Sequence, residues 1–196
     1  MTWDEEFAGP TGRDEPVELV GTHLRLTGVI SVGRFHRLTD LMNASSGYLR
    51  ISDARLLHRN GDPTNLVLPE LMVDQDEISY IAQTHPAPLA PVSGTDLVEP
   101  GTGPTAEIRK PREFVLFMPG AMVTGRVHVF GDTDIAAFVD SVDPRFVPVT
   151  DATTRSLADR RIVSHYEFLL INRNQMIAAS EIGRTGDIAP EDVPEL

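Results

Sequence analysis

The chain carries one apolar pattern twice. Leu24-x-Leu26-x-Gly28-x-Ile30-x-Val32 recurs as Ala121-x-Val123-x-Gly125-x-Val127-x-Val129. Further landmarks keep step: Tyr48 with Phe146, Ile51 with Val149, and Asp53-Ala54 with Asp151-Ala152. Met72-Val73-Asp74-x-Asp76-x-Ile78 answers to Leu170-Ile171-Asn172-x-Asn174-x-Met176. The offset is 97 positions from Gly28 to Gly125 and 98 from Asp53 to Asp151. A repeat of this length is a whole small domain rather than a solenoid unit. The copies agree in their apolar positions and differ at most polar ones, so architecture is legible where chemistry is not.

Each copy is about 70 residues, near the lower limit for an independent core, and two such units gain by sharing an interface or by oligomerising. No apolar run reaches the roughly 20 residues that span a bilayer, so no membrane insertion is expected. The acidic start, Met1-Thr2-Trp3-Asp4-Glu5-Glu6, lacks the basic-then-apolar layout of a signal peptide. With zero cysteines there is neither a disulfide framework nor thiolate chemistry. These features point to the cytoplasm. A net charge of −12 repels phosphate backbones, and the basic clusters Arg109-Lys110-x-Arg112 and Arg160-Arg161 are short, so nucleic acid is not an expected partner.

Residues 1–15 read as a disordered acidic arm, 16–83 as a first β unit, 84–112 as a Pro/Gly-rich linker, 113–181 as a second β unit and 182–196 as an acidic tail. In the first unit, Leu24, Leu26, Ile30 and Val32 face one way while His23, Arg25, Thr27 and Ser31 face the other, the period of a half-buried strand. Gly28 and Gly125 interrupt matching strands and mark a bulge or bend. Leu38, Leu41 and Met42 fit a short helix that Thr39 or Asp40 caps, and Asp132, Thr133 or Asp134 would cap its counterpart. Strands follow from Tyr48 to Leu57 and from Phe146 to Thr153. Each unit then closes with a hairpin turning at Asp74-Gln75-Asp76 or at Asn172-Arg173-Asn174. The fold class expected is mainly β: two repeated small β-barrel-like units of Sm or SH3 size, each with about five strands and one short helix.

The run of Gly28, the helix Arg37-Leu38-Thr39-Asp40-Leu41-Met42-Asn43, the strand into Asp53-Ala54 and the closing segment resembles a family of small bacterial domains of unknown function. Members combine a G-x-hydrophobic strand, an R-L-[ST]-D-x-[LM]-N helix, a T-D-[AV] strand and a final hairpin. The second copy keeps Thr150-Asp151-Ala152 and Leu170-Ile171-Asn172-Arg173-Asn174-Gln175-Met176 but lacks the helix motif. The resemblance implies a tandem β-rich architecture and supplies no activity to carry over.

Asp53 and Asp151 are the clearest polar residues kept in both copies, as ligands or as backbone acceptors at strand ends. Arg37 and Asp40 lie three apart, the spacing of a helix-surface ion pair. The histidines at 23, 36, 58, 85, 128 and 165 have neither H-x-H nor H-x-x-x-H spacing, and no metal site is expected. Ser45-Ser46-Gly47 lacks a nucleophile elbow, and Gly101-Thr102-Gly103-Pro104 lacks the P-loop lysine. The cyclic-dinucleotide pattern of PilZ domains is missed by one residue at Arg34–Arg37 and again at Asn43–Gly47.

The leading expectation is a non-enzymatic interaction module without cofactors, binding a protein partner or copies of itself through strand edges. The alternative is a sensor holding a small anion or nucleotide in a pocket between the units, with Arg25, Arg37, Asp53, Arg126 and Asp151 as candidate ligand-binding residues. A third is an enzyme of unrecognised type.

Overall fold

The computed structural model describes residues 13–84, 109–130, 134–141 and 143–182. Within them lie ten strands: β1 (Asp14–Gly21), β2 (Arg25–Ser31), β3 (Tyr48–Leu57), β4 (Pro63–Asp74), β5 (Ile78–Gln83), β6 (Arg109–Met118), β7 (Ala121–Phe130), β8 (Phe146–Ser156), β9 (Val163–Asn172) and β10 (Ala178–Glu181). Helix α1 (Leu38–Ala44) follows β2 and α2 (Ile135–Asp140) follows β7. One-turn 3₁₀ helices at Gln75–Glu77 and Arg173–Gln175 precede β5 and β10. The element order of the first five strands thus recurs in the second five.

All ten strands belong to one open antiparallel sheet, in the order β10-β6-β7-β8-β9-β5-β1-β2-β3-β4. This corrects the expectation of barrel-like units: no closed barrel forms, because β9 pairs with β5 of the other half instead of closing on its own. It also corrects the closing hairpins. β4 pairs with β3, while β5 crosses to pair with β1 and β9; likewise β10 pairs with β6 and not with β9. The turn residues read as hairpin signals instead cap the 3₁₀ turns: the Asp74 carboxylate accepts from Asp76 N–H and the Asn172 side-chain oxygen from Asn174 N–H. The chain is thereby redirected across its half of the sheet. β1 begins inside the stretch expected as an arm, and β6 inside the expected linker; nearly all the remainder of both, and of the tail, lies outside the described residues.

Gly28 and Gly125 sit where β2–β3 and β7–β8 shift register. A Cβ on Gly28 would meet Ile51 Cγ2 and lie 2.9 Å from the Ser52 carbonyl; on Gly125 it would lie 2.5 Å from Val149 Cγ1 and 3.0 Å from the Thr150 carbonyl. Across from each glycine, Asp53 and Asp151 adopt φ of +51°, the left-handed region that Asp tolerates better than most residues. Each pair makes one bend: the aspartate supplies the unusual φ of the bulge and the glycine the space against it.

Two apolar clusters result. The first gathers Val17, Leu19, Leu26, Ile30, Ile51 and Ile81, with Leu38 and Met42 of α1 packed in. The second gathers Phe114, Leu116, Val123, Val127, Val149 and Leu169, with Phe138 of α2 over Phe114 at 5.0 Å between ring centres. The Asp134 side chain caps α2 by accepting from Ala137 N–H, whereas α1 starts at Arg37 without a side-chain cap.

Gly28→Ala is expected to lower unfolding stability by about 1–3 kcal/mol, since the added methyl meets Ile51 and the β3 backbone rather than a movable side-chain tip. Urea denaturation followed by circular dichroism measures it, and an unchanged midpoint would show that the strands approach less closely than described.

Candidate functional site

The place where the halves meet is built from β5 and β9. They pair through Tyr80↔Ile171, Ile81↔Leu170 and Ala82↔Leu169. Successive residues of a strand point to opposite faces. Here both faces are buried: Ile81 and Leu170 enter the first cluster, Tyr80, Ala82, Leu169 and Ile171 the second, all at 4% exposure or less. Side chains are exchanged across the joint. Phe146 and Leu170 belong to the second half but fill the first cluster, and Tyr80 and Ala82 do the reverse.

Polar groups fasten the same joint. Asn43 of α1 donates to the Phe146 carbonyl at 2.9 Å and accepts from its N–H at 2.7 Å, matching both backbone groups of one residue. The fully buried Asn172 donates to the carbonyls of Gln75 and Ile78 at 3.1 and 2.9 Å. Arg145 pairs with Asp76, and Gln175 donates to the Asp76 carbonyl at 2.5 Å.

On the side of the second cluster, Arg25 Nε donates to Glu18 Oε1 at 2.6 Å, and Tyr166 donates its hydroxyl to Glu18 Oε2 at 3.0 Å. Burial opposes the Arg25 charge, yet the Glu18 carboxylate outweighs it and holds the guanidinium pKa above its usual value. Tyr80 faces Arg25 and Thr154. Burial raises its pKa, and Glu18 adds to the rise while Arg25 opposes it. Tyr166 is raised further, first by burial and then by the Glu18 carboxylate beside its hydroxyl. A shallow cleft of about 140 Å³ opens beside this cluster, lined from both halves by His23, Arg25, Arg59, Tyr80, Thr154 and Arg155 among others.

Of the residues nominated from sequence, only Arg25 reaches this cleft. Arg37 is the exposed residue that starts α1. Arg126, about half exposed, pairs with Asp151 at 2.9 Å on the surface between β7 and β8. Asp53 and Asp151 serve the two bulges. The five are therefore not gathered into one pocket. Glu18, Asn43, Tyr80, Tyr166 and Asn172 were not among the nominated residues; their roles depend on the pairing of β5 with β9, which no local pattern reports. Among the described residues no cluster of three or more His, Asp or Glu side chains has the arrangement of a metal site, and no helix is long and apolar enough to cross a membrane. No family model matches the chain, and neither a curated protein nor a solved structure matches it.

The two raised tyrosines set an alkaline limit. With a folded pKa above the ordinary 10.0, the folded state keeps protons that the unfolded chain releases, so the tyrosines' contribution to stability is constant below about pH 10 and falls as pH rises beyond it. Melting temperatures measured from pH 8 to 11.5 are expected to fall less steeply for Tyr80→Phe than for the parent chain. Parallel curves would contradict burial of that hydroxyl.

Proposed function

We propose that the chain is a non-enzymatic assembly module made of a duplicated β unit, and that its work is done by the two open edges of its sheet. The observation that carries this reading is the outer strand β4. It is twelve residues long and unpaired on its outer side among the described residues. A strand with one buried and one solvated face alternates apolar and polar residues. β4 instead reads Leu66-Val67-Leu68-Pro69-Glu70-Leu71-Met72-Val73, with Leu66, Val67 and Met72 each about half exposed and Tyr48 of neighbouring β3 at 67%. At the other end, Ile177 and Ile182 flank β10 at 69% and 37% exposure. Long apolar edges with unpaired backbone groups are templates for strand addition. Polar groups that a catalytic reading would recruit have structural tasks already: two aspartates shape bulges, and Glu18 pairs with Arg25 inside the first half while accepting from Tyr166 across the joint.

The cleft between the halves favours one second reading, a small-anion sensor using Arg25, Arg59 and Arg155. A thermal-shift screen with nucleotides and di- or tricarboxylates tests it. Sensing requires a rise in melting temperature that Arg155→Ala abolishes; no rise at millimolar ligand removes that reading.

For the assembly reading, sedimentation velocity is expected to give masses above the 21.5 kDa of one chain, rising with concentration. Met72→Asp places a charge on the exposed edge and should weaken self-association about tenfold or more while leaving the melting temperature of the single chain unchanged. A single-chain mass at every concentration, with and without the substitution, would contradict self-assembly.

A further inference from the structure

We infer that the partner of these edges is a second copy of the same chain, joined head to tail, with β4 of one copy adding to β10 of the next as β9 adds to β5 within one chain. The inference rests on the assembly reading and fixes its partner and register.

The joint inside the chain is the template. Its two strands come from opposite ends of the two halves, so among the described residues the same two edges remain unpaired at the ends of the sheet: β4 holds the place of β9, and β10 the place of β5. The side chains that plug the inner joint have outer counterparts that lie bare. Phe146 is fully buried in the other half's core, and Tyr48, its counterpart at the start of β3, is 67% exposed. Leu170 is likewise buried, and Met72 is half exposed. Tyr80 and Ala82 are buried, while Ala178 and Ser180 in β10 are exposed. On β4, Leu71-Met72-Val73 is apolar on both faces, as is Leu169-Leu170-Ile171 of β9. Such continuity suits a strand whose two faces are both to be covered. An apolar cavity of about 290 Å³ also opens beside β4, lined by Leu24, Leu56, Leu68, Leu71 and Val73. At the matching place in the second half, Tyr80 crosses over from the first.

Transferring the inner register by the 98-residue offset sets Val73 opposite Ala178, Met72 opposite Ala179, and Leu71 opposite Ser180 of the next copy. Pro69, which cannot donate to a ladder, falls outside these three pairs. The outer joint is the weaker of the two. Ala178 fills less than Tyr80 does. Asp74 stands where Asn172 donates two hydrogen bonds, and a carboxylate has no proton to offer the carbonyls it would meet. Two different surfaces meet in such a contact, so copies run on into a ring or a filament rather than stopping at a symmetric pair.

The chain has no cysteine, so introduced thiols report one contact each. Directly opposed residues of an antiparallel pair are close enough for a disulfide. Met72→Cys and Ala179→Cys are made as single variants of the full chain, mixed, and oxidised with a mild catalyst. The expected result is a cross-linked dimer in the mixture and in neither variant alone, with a ladder of multiples from the doubly substituted chain. Asp74→Asn in that background should raise the yield at least twofold. Cross-linking of Met72→Cys with itself, or assembly by sedimentation without any cross-link, overturns the head-to-tail register and leaves the assembly reading standing. Neither cross-link nor assembly defeats both.

Discussion

The structure depends on three backbone pairs, Tyr80↔Ile171, Ile81↔Leu170 and Ala82↔Leu169, because they turn two half-sheets into one. So short a ladder holds two halves only when side-chain burial accompanies it. All six residues are buried to 96% or more, and they serve opposite cores on opposite faces. Neither core is made solely by its own half. The halves therefore share their cores, which offsets the small size of each.

Charge and hydrogen bonding specify the joint more than they strengthen it. Glu18, which Tyr166 reaches across the seam, is paired with Arg25 of its own half at 12% and 15% side-chain exposure, where the desolvation cost offsets much of their attraction. Their value is in excluding alternatives. Glu18 accepts from Arg25 and Tyr166 together, an arrangement available only when β9 lies beside β5 in this register. Asn43 and Asn172 add four hydrogen bonds to backbone groups across the same seam. At the sheet's outer ends, apolar or acidic residues replace several of these groups, so the outer joints we propose would share the inner geometry while being weaker than it.

Local structure was legible in the sequence wherever a local rule decides it. Period-two alternation located β2 and β7; Leu38, Leu41 and Met42 located α1; and Gly28 and Gly125 marked true bends. The paired Asp53 and Asp151 were visible as a shared feature, though their reason, a positive φ opposite a glycine, needs the fold to be seen. One local expectation failed, since Thr39 and Asp40 lie inside α1 and its first residue follows an uncapped Arg37; the other failures are long-range. Asp74-x-Asp76 and Asn172-x-Asn174 carry the chemistry of a tight turn, which a hairpin and a one-turn 3₁₀ helix share, and only the choice of the next strand's partner separates the two. The joint escaped for the opposite reason. Comparing the copies favours what they have in common, while Glu18, Tyr80 and Tyr166 occur in one copy because the joint needs them once. Arg37 and Arg126 were nominated as rim residues by type alone, and the backbone carries neither to the cleft.

Hydrogen–deuterium exchange, followed segment by segment as the protein is concentrated, tests the central claim most directly: that the inner joint is complete and the outer edges await the same partner. Segments 80–82 and 169–171 should exchange slowly at every concentration, while 71–73 and 178–180 exchange quickly when dilute and slow together when concentrated. Fast exchange in the inner pair, or outer segments indifferent to concentration, would contradict the account.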